Sequence, residues 1–367
     1  MDAIISADSH VSEPGDLWTT RIAAAYRERA PHLEARGEMG DFMVADGILP
    51  MPVGLGIAAP RDPKDIKFFG VKYEEARPGG WDPDARLKDQ DIDGVSAEVL
   101  YPTLTMPMFA IPDGGYQHAC FQAYNDWLAD FCRTHPQRLV GIGLISLHDI
   151  DAAVSEVARV AALGLRGAMI RGDSPEDCPY GDPHYDPLWA ALQDHDLPVS
   201  LHILTSGKRQ SLNPSAQAGS RMAGVMTVIH YIQRSIADMI FNRVFERFPK
   251  LKVVSAENDI GWIAHYMGRM DHAYNRHRHW LGQGPLQMLP SEFFKRNVWA
   301  TFMDDVAGMA TRHLVGVDRL MWASDYPHSD STWPESQAVL AKHFAGVPEA
   351  EHRRIIADNA RELYGIG

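Results

Sequence analysis

Cysteine is scarce: Cys120, Cys132 and Cys178 are the only three in the chain. They are too few and too scattered for a disulfide framework, which fits a reduced, cytoplasmic setting. Cations are also outnumbered. Lys plus Arg is 35 against 48 for Asp plus Glu, a formal net charge of −13. A chain this acidic is not built to coat nucleic acid or an anionic membrane by bulk electrostatics. That does not exclude an anionic substrate held by a local arginine. No apolar run reaches membrane-spanning length, and the N-terminus shows no basic or apolar leader region. Internal repeats and low-complexity tracts are missing as well. The expectation is a soluble cytoplasmic protein that acts on a small molecule, with no nucleic-acid or membrane partner.

What is present is core. Hydrophobic residues make up 45% of 367 positions. That length exceeds the usual single domain, but α/β barrels with insertions reach it as one unit. Eight apolar, β-branched runs read as buried strands: 3–7, 96–101, 140–146, 167–170, 198–201, 252–256, 298–301 and 320–323. Segments of helical period lie between them, at 116–135, 152–164, 187–194 and 220–248. Alternation of this kind indicates βαβ units and a parallel sheet. Eight pairs point to a distorted (β/α)8 TIM barrel occupying 1–367 as a single domain. A doubly wound open sheet has the same periodicity. The segment 26–84 breaks the rhythm and is rich in Pro and Gly, as in Leu49-Pro50-Met51-Pro52 and Pro78-Gly79-Gly80. It follows the first strand and reads as a lid or small insertion.

Polar islands end several of these runs. Asp8-Ser9-His10 closes the first, His202 the fifth, Glu257-Asn258-Asp259 the sixth, and Ser324-Asp325-Tyr326-Pro327-His328 the last. Asp8 and His10, two apart in an extended segment, point to the same side. Barrel enzymes place their chemistry at these strand ends. Asp8, His10, His202, Glu257 and Asp325 are therefore candidate metal ligands. Each has a plainer reading: a helix cap for Asp8 and Asp325, an inward carboxylate with a partner for Glu257, an incidental histidine for His10 and a core histidine for His202. Three carboxylates and two imidazoles suit one or two divalent ions such as Fe, Mn or Zn, and the charge favours two. Asp325 would act as the catalytic base, with His328 or His230 assisting. His230 falls in the long helix, where a core or capping role suits it better. On the substrate side the candidates are Arg171 as an anion clamp, Asn258, and the aromatics Phe109 and Trp81.

These islands carry a resemblance. With Arg86-Leu87-Lys88-Asp89-Gln90-Asp91-Ile92-Asp93-Gly94, Phe245-Glu246-Arg247-Phe248-Pro249 and Asn359-Ala360-Arg361-Glu362-Leu363-Tyr364-Gly365, the chain resembles the amidohydrolase superfamily. The similar branch includes aminocarboxymuconate-semialdehyde decarboxylase and related metal-dependent hydrolases. The resemblance implies a metal site on Asp8, His10, His202 and Asp325. It also implies a homodimer, since Arg269 is similar to a position that reaches into a neighbour's site in those decarboxylases. There are departures. The family's first-strand pair is usually His-x-His, and here Asp8 leads it. The sixth-strand histidine, implicated in decarboxylation, is Glu257. No bridging lysine ends the fourth strand, which runs Met169-Ile170-Arg171. The shift toward acid leads to an expectation of hydrolysis, with metal-activated water attacking an amide, ester, lactone or thioester that has an apolar body. Non-oxidative decarboxylation of an aromatic or unsaturated acid is the alternative, and a non-catalytic metal-binding role is a third.

Overall fold

The computed structural model describes residues 3–207 and 217–367. Eight strands form one parallel sheet in chain order: β1 (Ile5–His10), β2 (Ala97–Tyr101), β3 (Leu139–Leu144), β4 (Gly167–Ile170), β5 (Val199–His202), β6 (Val253–Ala256), β7 (Val298–Phe302) and β8 (Leu320–Trp322). Nearly every strand residue is buried. This burial on both faces is why the strands read as continuous apolar runs rather than alternating ones. The ends of β8 and β1 are joined by backbone bonds: His10 N–H donates to Tyr326 O (2.7 Å) and Asp325 N–H to Asp8 O (2.9 Å). The sheet is thus a nearly closed (β/α)8 barrel, not an open doubly wound sheet.

Several helices start where an aspartate accepts from the first turn. Asp82 caps Pro83–Asp93, Asp113 caps Gly114–Arg133 and Asp149 caps Ile150–Ala162. Each satisfies a backbone N–H that the helix leaves unpaired. The first of these helices ends at Gly94, whose φ of 73° is in the left-handed region. The long helix expected over 220–248 is not continuous. It is three: Ala218–Thr227, His230–Phe241 and Val244–Arg247. Arg243 (φ 64°) breaks the last joint, while the apolar spacing runs on across it.

The segment after β1 contains a three-stranded antiparallel sheet, His32–Ala35, Asp41–Val44 and Met51–Pro52, followed by single-turn helices. Gly40 (φ 83°) allows the chain to approach Val71, whose backbone a β-carbon would strike at 2.3 Å. The Tyr73 hydroxyl ties this segment to the β1 loop, 2.8 Å from Ser12 O and 2.9 Å from Glu13 O. Beneath it, the buried Arg86 guanidinium donates to both Glu98 oxygens (2.6 and 3.0 Å) and to His10 O (2.7 Å). No helix among the described residues is long and apolar enough to cross a membrane.

Candidate metal centre

Five side chains from four parts of the barrel rim meet at the C-terminal strand ends. Asp8 and His10 come from β1, His202 ends β5, Glu257 directly follows β6, and Asp325 follows β8. A register shift in β1 between Ser6 and Ser9 re-aims the Asp8–His10 pair relative to β2. Glu257 and Asp325 both have φ of 54°, a left-handed conformation unusual for these residues. Such strain persists only where the surroundings over-determine it, and here it turns two carboxylates inward.

The ligand atoms stand 3.2–3.8 Å apart, close to the spacing of groups that share a cation. His10 Nε2 lies 3.5 Å from Asp8 Oδ1, 3.2 Å from Asp325 Oδ1 and 3.8 Å from Glu257 Oε2. His202 Nε2 lies 3.5 Å from Asp8 Oδ1 and 3.3 Å from Glu257 Oε2. Ligand atoms each about 2.1 Å from one ion stand roughly 3.0–3.4 Å apart. Asp8 Oδ1, His10 Nε2, His202 Nε2, Glu257 Oε2 and both Asp325 oxygens are buried without a hydrogen-bond partner. Orphaned buried polar atoms are costly, and these residues form two overlapping groups that share His10, an arrangement that fits a divalent ion. His10 Nδ1 lies 2.6 Å from Pro102 O and His202 Nδ1 2.9 Å from Ile203 O. A carbonyl only accepts, so Nδ1 of each ring carries the proton and Nε2 is the ligand atom.

The electrostatics reflect the same crowding. Burial and then the Asp325 charge push the Glu257 carboxyl well above its usual range. Burial alone would raise Asp8 too, but the His202 and His10 imidazoles hold it well below that range. Burial opposes charge on His10, yet the Asp325 and Asp8 carboxylates raise its pKa well above normal. Three carboxylates gathered around His10 and His202 call for positive charge, which a divalent ion would supply.

His328 stands behind Asp325. Its Nδ1 is 3.1 Å from Asp325 Oδ1 and its Nε2 2.9 Å from Thr103 Oγ1. A crevice beside the cluster, too tight as it stands to admit a water molecule, is lined by Glu257, Asp325, Phe302 and Met303 among others.

The remaining candidates lie elsewhere. His230 is exposed at the first turn of its helix and belongs to neither group of converging ligand atoms, so a core role is corrected as well. Arg171 is no open clamp: its Nε and Nη2 both donate to Asp173, at 2.8 Å each. Phe109 is core, packed on Phe121 with ring centroids 4.7 Å apart. Trp81 lies against Tyr73 at 5.4 Å, within the segment after β1. Asn258 is buried, and its amide donates to Ala256 O (2.6 Å) to hold the turn that presents Glu257. Sequence reasoning missed Thr301, on β7, and Glu13. The first looks like any hydroxyl in an apolar strand. The second accepts from the backbone of Thr103, Leu104 and Thr105 (2.8–3.2 Å), contacts that no local pattern announces.

A (β/α)8 barrel with histidine and carboxylate ligands gathered at its C-terminal rim defines a class, the metal-dependent barrel enzymes of the amidohydrolase superfamily. The chain belongs to that family: the amidohydrolase family model matches residues 116–366. Gamma-resorcylate decarboxylase of Rhizobium sp. (strain MTP-10005) is 25% identical over 304 residues, 77% of this chain and 87% of that protein. An amidohydrolase from Mycobacterium avium subsp. paratuberculosis K-10 superposes with a TM-score of 0.77 at 25% identity, covering 99% of both chains. The manganese complex of 5-carboxyvanillate decarboxylase from Novosphingobium aromaticivorans DSM 12444 has the same fold. Its TM-score is 0.72 at 19% identity, over 99% of this chain and 96% of that one. The expectation of hydrolysis is overturned, because the characterised relatives are decarboxylases. Acid at positions 8 and 257 is no guide to hydrolytic chemistry, since charge at a metal sets the ion's environment and not the bond that is cut.

Proposed function

We propose that this chain is a metal-dependent, non-oxidative decarboxylase of an aromatic carboxylic acid. The observation that carries the reading is the convergence of orphaned ligand atoms of Asp8, His10, His202, Glu257 and Asp325, in a chain whose curated relative is a decarboxylase. Manganese(II) suits so oxygen-rich a ligand set, and manganese is bound in the 5-carboxyvanillate enzyme. One ion is favoured over two. Both groups of converging atoms need His10, and its Nε2 has a single lone pair.

The ion, when bound, supplies positive charge that anchors and orients an anionic substrate. Asp325, whose carboxyl the His328 and His10 imidazoles hold below the usual range against the effect of burial, would take a proton by way of His328 and hand it to the ring carbon that bears the carboxylate. That carbon's bond to the carboxylate breaks, its electron pair takes the proton, and carbon dioxide leaves. His328, linked onward to Thr103, gives Asp325 a path to regain its proton. A homodimer belongs to the same proposal, with Arg269 exposed on helix Ile263–His277.

The test is carbon dioxide release from manganese-loaded enzyme given a panel of hydroxylated benzoic acids. Release that vanishes in Asp325→Asn supports the proposal. Hydrolysis of ester or lactone probes, with no release from any acid, sinks it.

A further inference from the structure

We infer that Thr301 is a positioning residue that orients the two acidic ligands, Asp8 and Glu257, as one unit. The inference rests on the proposed metal centre. Thr301 is fully buried in β7, with β6 on one side and β8 on the other. Its hydroxyl donates to Asp8 Oδ2 at 3.1 Å and accepts from Glu257 N–H at 2.8 Å. A hydroxyl has one proton and two lone pairs, a carboxylate only accepts and a backbone N–H only donates. Both bonds therefore form together, and neither can reverse.

Each bond has a consequence at the site. With Oδ2 engaged, Asp8 turns its unpartnered Oδ1 toward His10 and His202, 3.5 Å from each Nε2. The bond to Glu257 N–H pins a residue whose φ of 54° costs about 1–3 kcal/mol in general. It fixes the direction in which the Glu257 side chain leaves β6. Threonine is branched at Cβ and has few rotamers, so its oxygen stays where the strand puts it. These are also the two positions where this chain carries acid and the resembling family commonly carries histidine. A hydroxyl donor is useful beside position 8 because a carboxylate stands there. An imidazole's second nitrogen usually donates instead.

The experiment titrates manganese(II) into metal-free wild type, Thr301→Ser and Thr301→Val by calorimetry, with the melting temperature of each metal-free protein as the control for packing. Thr301→Ser keeps the hydroxyl and should bind within about 3-fold of wild type, while Thr301→Val should bind about 10–100-fold more weakly. A valine variant that binds within about 3-fold of wild type overturns the inference, and so does a serine variant as impaired as valine. If the valine variant does not fold, Thr301→Ala is titrated in its place under the same limits. Wild type that takes up none of manganese(II), iron(II) or zinc(II) overturns the metal reading itself, and this inference with it.

Discussion

The His328 imidazole lies nearly flat against that of His10, ring centroids 3.7 Å apart and planes 26° apart. One ring faces the ligand cluster and the other backs Asp325. Burial, with the His10 ring stacked against it, holds His328 below the usual imidazole range, which favours its neutral form. Replacing it with Asn removes the stack and the 3.1 Å contact to Asp325 but none of the proposed ligands. His328→Asn should keep wild-type manganese content by elemental analysis and lose about 10²-fold in kcat. An unchanged kcat would remove His328 from the proton path.

Metal removal should be reversible. Enzyme dialysed against a chelator should lose activity and regain it with manganese(II). Binding to the folded state alone also stabilises, by about 2.7 kcal/mol at a free ion concentration 100 times Kd. For a chain of this size that corresponds to a rise of a few degrees in Tm. A scan with and without the ion reads it directly, and a Tm that does not move would mean the buried carboxylates manage without a cation.

Asp93 predicts a pH dependence of stability away from the site. Its carboxylate accepts from Ser336 N–H (3.0 Å) and Oγ (2.5 Å), and burial lifts its pKa from 3.8 to about 6. The folded protein thus holds this proton more tightly than the unfolded chain. Between those two values the folded state binds more protons, so this group's contribution to stability falls as pH rises and is flat above about 6. Asp93→Asn cannot titrate. Its stability relative to wild type should improve from pH 4 to pH 7 by on the order of 2 kcal/mol, read from urea midpoints. A constant difference across that range would count against the assignment.

Glu13 should be structurally costly to lose. Its two oxygens serve the backbone N–H groups of Thr103, Leu104 and Thr105 and the Thr105 hydroxyl at 2.6 Å, and it is fully buried. Glu13→Ala strands several buried donors at once and should destabilise by about 3 kcal/mol in urea unfolding. Glu13→Gln keeps one accepting oxygen and should cost less.

The barrel was legible because burial on both faces writes strands as uninterrupted apolar runs, and all eight lie within about three residues of their expected bounds. The joints in 220–248 were not, because spacings of three and four continue through Asn242 and Arg243 with no proline or glycine to mark a stop. The cluster itself was legible as polar residues where apolar strands end. Its supports were not. Thr301 gains its meaning from Asp8, almost the whole chain away, and an isolated hydroxyl in Val298-Trp299-Ala300-Thr301 does not reveal a distant partner. Arg171 misled for the same reason: Asp173, two residues on, looks like solvent-facing acid until the fold turns it back.

The seam between the first and last strands has a consequence for how the protein matures. Asp8 and His10 sit at one edge of that seam, and Asp325 reaches across it through the bond from its own N–H to Asp8 O. A ribosome must therefore deliver almost the entire polypeptide before the proposed donors can meet. No early fragment holds the ion as the finished barrel would. Loading of the proposed site would be a late event, coupled to closure of the last strand rather than to growth of the nascent chain.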